Sequence, residues 1–221
     1  MTVDITVELP QPQIVISERH DAAGIEARQG RKVPQLTSEQ ASEVMAALRT
    51  LQEIYPLLRS DFPKDRSKDY ETRRSEFKPI LNKLECALVV FDKHCPEEVP
   101  TFHRFTPGMY IREVHVPAGT IFTSVTHKTQ HPFVLSKGVC DICNEVGDVE
   151  RYHAPYTGIT EPGTRRVFLV HEDMVLTTFH VTEITDPDQW LLENTAIENE
   201  SLPEEYVAKC FTNKEELKWQ A

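Results

Sequence analysis

Apolar and polar positions alternate differently in four stretches of the chain. In residues 1–36, ITVELPQPQIVIS alternates like an extended segment but is interrupted by Pro10 and Pro12, and DAAGIEARQGRKVPQ has no sustained period. This reads as an arm, either without fixed structure or ordered by lying on a neighbour. From Thr37 the period becomes helical: Val44, Leu48, Leu51, Tyr55 and Leu58 recur at steps of four and three. Thr37 and Gln40 have capping-box spacing, which marks the helix start. Phe62-Pro63-Lys64-Asp65 breaks the pattern. A second helix is predicted from about residue 70 to residue 93, with Phe77, Ile80, Leu84, Leu88 and Phe91 on one face and Pro79 as a weak point. Residues 37–100 are thus expected to form an antiparallel α-hairpin, its apolar faces serving either a core or a partner.

From Met109 the texture changes to short strands punctuated by Gly and Pro. MYIREVHV, TIFTSVT, PFVLS, VCDICN, VERYH, RRVFLVH and MVLTTFHV each read as a strand. Pro117-Ala118-Gly119, Lys137-Gly138, residues 145–148 and Glu172-Asp173 read as turns, and APYTGITEPGT as a connecting passage. Such spacing predicts an antiparallel sandwich or barrel over residues 101–185. After Asp186-Pro187 come a short helix around Trp190, Leu191 and Leu192 and another over 203–211, within an acidic tail, residues 186–221.

Charge removes some function classes. The net charge is −11, which disfavours sequence-independent binding to nucleic acid. Residues from 181 onward hold ten acidic side chains against three lysines, so the excess concentrates in a segment expected to be solvated. With 15 prolines and a mean hydropathy of −0.41, part of the chain is expected to lie outside the core. Five cysteines without regular spacing do not suggest a disulfide framework. The N-terminus shows no basic segment leading into an apolar run, and no apolar stretch reaches the roughly 18–20 residues of a membrane span. A cytoplasmic or virion location is the expectation, with Asn199-Glu200-Ser201 an accidental sequon.

Two groups of residues then carry a resemblance. Gly119 is followed by five residues, Val125-Thr126-His127, three residues, His131, six residues and Gly138; further on stands GITEPGTRR. The frame resembles the two motifs of the cupins, small jelly-roll barrels, and PAGT, HKT-x-HPFVLSKG, HED and TTFH are similar to cupin-like proteins of bacteriophages. It covers about residues 107–185. The resemblance implies an α+β chain with a cupin-like antiparallel β-barrel, preceded by the arm and the α-hairpin. It places the family's metal ligands on Val125, His127, His131 and Arg166, of which only the two histidines can ligate.

His180, at the end of the last strand, is the best candidate to complete a set with His127 and His131, and Gln130 or Glu113 could add an oxygen. Three imidazoles suit one divalent metal such as Zn, Fe, Mn or Ni. The alternative is a metal-free polar cavity in which Tyr110, His127, Arg165 and Arg166 receive a small anionic or sugar-like ligand, because arginine offers a planar fork of donors. Cys140 and Cys143 are three apart on a strand and so face opposite ways. His153 and His171 lie beside turns and are expected to face solvent. There is no nucleophile elbow, Walker-type loop or dinucleotide fingerprint.

Two functions follow as expectations. The favoured one is a bacteriophage-type binding or assembly protein without catalysis, docking through arm and helices onto copies of itself or onto virion or host proteins. The other is a metal-dependent oxygenase or isomerase for a small polar substrate, with Tyr110 or Glu113 as proton-transfer group.

Overall fold

The computed structural model describes residues 36–62, 64–94 and 99–212, the last four without side chains; the arm predicted for residues 1–36 falls, Leu36 apart, outside them. Helix α1, Ser38–Ile54, starts at the expected box: the Gln40 N–H donates to Thr37 Oγ1 (3.2 Å) and the Thr37 N–H to Gln40 Oε1 (2.9 Å). A 3-10 turn, Tyr55–Leu58, extends it. Helix α2, Tyr70–His94, runs through Pro79 without ending, since Phe77 and Leu81 on either side of the proline are buried. His94 at its end lies 2.7 Å from Glu43 near the start of α1, so the helices are antiparallel.

Strands β1 (Thr101–Thr106), β2 (Met109–Val116), β3 (Ile121–Thr123), β5 (His131–Cys143), β6 (Val149–His153), β7 (Tyr156–Thr160) and β8 (Val167–Val181) form one antiparallel sheet. Its main order is β1-β2-β8-β5-β6, with β3 on β8 and β7 on β5. A separate pair joins β4 (Thr126–His127) to β9 (Thr195–Ala196). The fold is the α+β arrangement expected, a helical hairpin with one antiparallel sheet, except that the sheet rolls over without closing into a barrel.

Two expected turns do not exist. Lys137-Gly138 and Glu172-Asp173 were predicted to separate strands; instead β5 and β8 run through them as long bent strands, with register shifts between Leu135 and Cys140. Each changes partner along its length: β5 passes from β7 to β6, and β8 from β3 to β2. Gly138 makes this possible. Its φ is +93°, and a Cβ there would lie 2.6 Å from the Asp173 carbonyl oxygen and 2.7 Å from Met174 Cα. Strand β7 forms inside the passage predicted as a connection.

The bend gives two apolar regions. Inside the roll, Val114, Val116, Phe133, Cys140, Ile142, Phe168 and Leu176 share one cluster. Outside it, Cys143, Ile121, Val167 and Leu169 pack with α1 and α2, so hairpin and sheet have a common core. Cys140 and Cys143 do face opposite ways, and both are buried because each face is covered. Burial pushes both thiols up to about 12, which keeps them protonated.

The segment expected as a solvated tail folds back as far as the described residues go. Asp186 caps helix α3 (Pro187–Asn194), and Trp190 is buried. Asn199 Nδ2 donates to Glu85 Oε2 (2.9 Å) and to the Asn82 carbonyl (3.1 Å), and Arg165 donates to Glu85 and Asn82. Asn199, at 2% exposure, is closed to a glycan in this fold. Helix α4, Glu204–Thr212, follows. No helix among the described residues is long and apolar enough to cross a membrane.

Replacing Gly138 by Ala should destabilise the protein by about 2–4 kcal/mol, because strain at positive φ adds to a clash with backbone that cannot move aside. Chemical denaturation measures this; a loss below about 1 kcal/mol would mean the two bends do not depend on each other there.

Candidate metal centre and cavity

Side-chain parity along the strands builds the site. In β2, Arg112, Val114 and Val116 line the interior, and in β8 Phe168, Leu176 and Thr178 do so. His180 continues the β8 series two residues past Thr178, and His131 opens β5 on the same face as Phe133. His127 comes from β4, which is held by β9: the Gly163 N–H donates to the His127 carbonyl (2.9 Å) and the Lys128 N–H to Asn194 (2.8 Å). The short C-terminal pair therefore fixes the third ring.

The three imidazoles meet. His131 and His180 are each 2% exposed, with ring centroids 4.4 Å apart; His127 lies 4.3 Å from His131 and 5.4 Å from His180. One ligand nitrogen from each falls within 4.8 Å of the others. His131 Nδ1 donates to the Thr129 carbonyl (3.4 Å), which can only accept, so Nε2 keeps its lone pair. His180 Nε2 lies 2.9 Å from Thr178 Oγ1, while His180 Nδ1 is buried with no hydrogen-bond partner among the described residues. His127 Nδ1 is in the same position. Orphaned buried ring nitrogens are costly unless something completes them.

Burial dominates the titration of the cluster. It lowers His127 to about 3, aided by His131, Arg112 and Arg166. It lowers His131 to about 4, against the Thr129 hydrogen bond, and His180 to about 2, aided by the other two rings and Arg112. At neutral pH all three rings are therefore uncharged, the state a metal ligand requires.

A cavity of ≈ 80 Å³ opens beside the cluster, lined by His127 and His131 together with Arg112, Arg166, the hydroxyls of Thr123, Ser124, Thr160 and Thr178, and an apolar wall. Arg166 Nη1 donates to Thr160 Oγ1 (3.0 Å), and its guanidinium lies 5.7 Å from the centre of the Phe133 ring. Among the described lining residues there is no carboxylate.

Several expected participants lie elsewhere. Tyr110 is 1% exposed and sits behind His180 (5.6 Å between rings), its hydroxyl 2.5 Å from His103 Nδ1, away from the cavity lining. Glu113 has the opposite parity to Arg112 and pairs with His115 and Arg104 on the outer face, so it neither ligates nor reaches the cavity. Gln130 is exposed and donates to Glu161. Arg165 turns away from its neighbour to the helices. His153 and His171 are exposed, His171 3.0 Å from Asp141.

Arg112 and Trp190 had not been singled out. The alternation of MYIREVHV already puts Arg112 on the face of Tyr110 and Val114. Trp190 covers the cluster, 4.2 Å from His180 and 5.9 Å from His127, and a large aromatic ring in a polar segment is itself a sign of burial.

No family model matches the sequence, and no curated protein matches it. Solved structures similar to it include a cupin-2 domain protein from Shewanella frigidimarina, 12% identical with a TM-score of 0.32, covering 38% of this chain and 80% of that one. A double-stranded β-helix protein from Klebsiella pneumoniae is 17% identical at 0.34, covering 39% and 86%. A putative ethanolamine utilization protein Q from Salmonella typhimurium is 15% identical at 0.35, covering 41% and 75%. These likenesses assign no ligand and no activity, which rest on this chain's own residues.

Proposed function

We propose that the protein is a metal-dependent cupin-like enzyme for a small polar substrate, with His127, His131 and His180 as the metal ligands. The observation that supports this best is the convergence of three neutral imidazoles shielded from solvent, two of which hold a ring nitrogen with no hydrogen-bond partner among the described residues. The residues fit a metal of the Zn, Fe, Mn or Ni kind. Ligands about 2.1 Å from one ion lie about 3.4 Å apart, so the rings need draw together by roughly an ångström. Such an ion supplies Lewis acidity, polarising a bound oxygen.

The chain's own groups would do the rest. Arg166 and the hydroxyls of Thr160 and Thr178 orient a polar molecule, the apolar wall excludes water, and Thr178 Oγ1 also fixes the His180 ring through Nε2. Neither Tyr110 nor Glu113 stands where it would move a proton in the cavity. The virion-assembly reading rests on the incomplete family ligand set, the absence of other catalytic motifs, the phage resemblance, and the helices and the arm, of which residues 1–35 lie outside the described chain; no contact within the cavity favours it.

Untagged protein purified without chelator should carry close to one equivalent of a divalent metal by elemental analysis. His127→Ala and His180→Gln should each lower that content or the metal affinity at least about tenfold. Protein that stays metal-free after incubation with Zn²⁺, Fe²⁺, Mn²⁺ and Ni²⁺ would sink the reading.

Chelator-treated protein should also respond to acid in a defined window. The folded pKa of each ring lies below its unfolded value near 6.5, so the unfolded chain binds more protons and protonation favours unfolding. Stability should be level above about pH 6.5 and fall between about 6.5 and 4. Thermal melts across that range check this, and a flat profile would show that the rings are not desolvated.

A further inference from the structure

We propose that the cavity beside the three histidines takes a small monocarboxylate with an apolar body, its head held by Arg166. This deepens the preceding reading by naming the substrate class, and it rests on the cavity rather than on the metal.

Three observations carry it. First, the charge in the cavity is one-sided. Arg166 lines it, and no carboxylate does so among the described lining residues. Arg166 is half-buried, with Nη1 on Thr160 and its plane beside the Phe133 ring, so the guanidinium is fixed in orientation while its remaining N–H groups can meet a planar carboxylate. A divalent ion on three neutral ligands would add to this positive field, which an anion offsets.

Second, the wall is apolar. Val114, Val116, Phe122, Phe133, Phe168 and Leu176 supply most of it. A sugar needs many directed hydrogen bonds, and the described lining has hydroxyls but no Asn, Gln, Asp or Glu to make them. A dianion such as a phosphate monoester would lose more hydration than one arginine fork and a few hydroxyls return.

Third, the size is limited. A cavity of ≈ 80 Å³ has the volume of about three waters and is about half the roughly 150 Å³ that encloses benzene, so it holds a carboxylate head and the first carbons of the body, and a longer chain or a ring extends towards the opening. Together the charge, the wall and the volume select a short-chain or single-ring carboxylate.

Benzoate and benzamide test this, since they match in shape and differ in charge. Chelator-treated protein should bind benzoate with a Kd below about 1 mM by ligand-observed NMR or calorimetry, and benzamide at least about tenfold more weakly. Arg166→Gln should abolish the difference; Arg166→Lys, which keeps the charge and loses the fork, should retain part of it, and circular dichroism confirms that both variants fold. Equal binding of the pair, no benzoate binding at about 10 mM, or tighter binding of phenylphosphonate than of benzoate would each overturn the proposal. Preference for benzoate in protein that takes up no metal leaves the carboxylate site standing and removes only the metal; metal uptake without that preference does the reverse.

Discussion

Gly138 of β5 lies against Asp173 and Met174 of β8, backbone to backbone, with no room for a side chain between them. The rest of the fold depends on that contact. It lets the two longest strands bend at the same height, so that one sheet has two halves facing each other. The interior cluster and the cavity lie between those halves, and the helical hairpin covers the outer face left behind. Backbone carries the approach, so the bend tolerates almost no change in residue volume at this point.

The antiparallel register of β5 and β8, which sets Phe133 opposite Thr178, carries the first residue of β5, His131, beside the next-to-last of β8, His180. Neither strand supplies the third ring. His127 comes from a two-residue strand whose partner belongs to the segment after the sheet, and Trp190 of that segment closes over the rings. The site is thus held by elements far apart in sequence, and its electrostatics follow from enclosure. Imidazoles that lose their water lose their charge, and two arginines nearby press in the same direction. A neutral donor set beside fixed cations is poorly suited to bind a cation with nothing to balance it, and well suited to bind one together with an anion.

Much of this was legible in the chain. The Thr37/Gln40 box, the stripe from Val44 to Leu58 and the second stripe from Phe77 to Phe91 state the hairpin, because helix periodicity is a local property. The alternation of MYIREVHV and MVLTTFHV states the strands, and THKTQH with the TTFH that ends β8 names the three histidines. What misled was punctuation. Lys137-Gly138 and Glu172-Asp173 look like turns, yet the residues on either side find continuous partners, and a glycine at positive φ bends a strand as readily as it ends one. The acidic run after residue 186 looks solvated by its average charge, which hides the few positions, Trp190 and Asn199, that pack.

By itself the sequence determined the helical hairpin and most of the strands, which face of each is apolar, and which side chains can ligate or pair with an anion, since period and side-chain chemistry do not depend on distant residues. Only the tertiary structure decided that two adjacent arginines part, Arg166 to the cavity and Arg165 to a buried knot with Glu85 and Asn199, that Glu113 faces outward while Tyr110 sits behind the rings, and that an acidic tail completes the site. Those outcomes turn on strand register and on which surfaces remain to be covered, and both are settled by contacts between residues far apart in the chain.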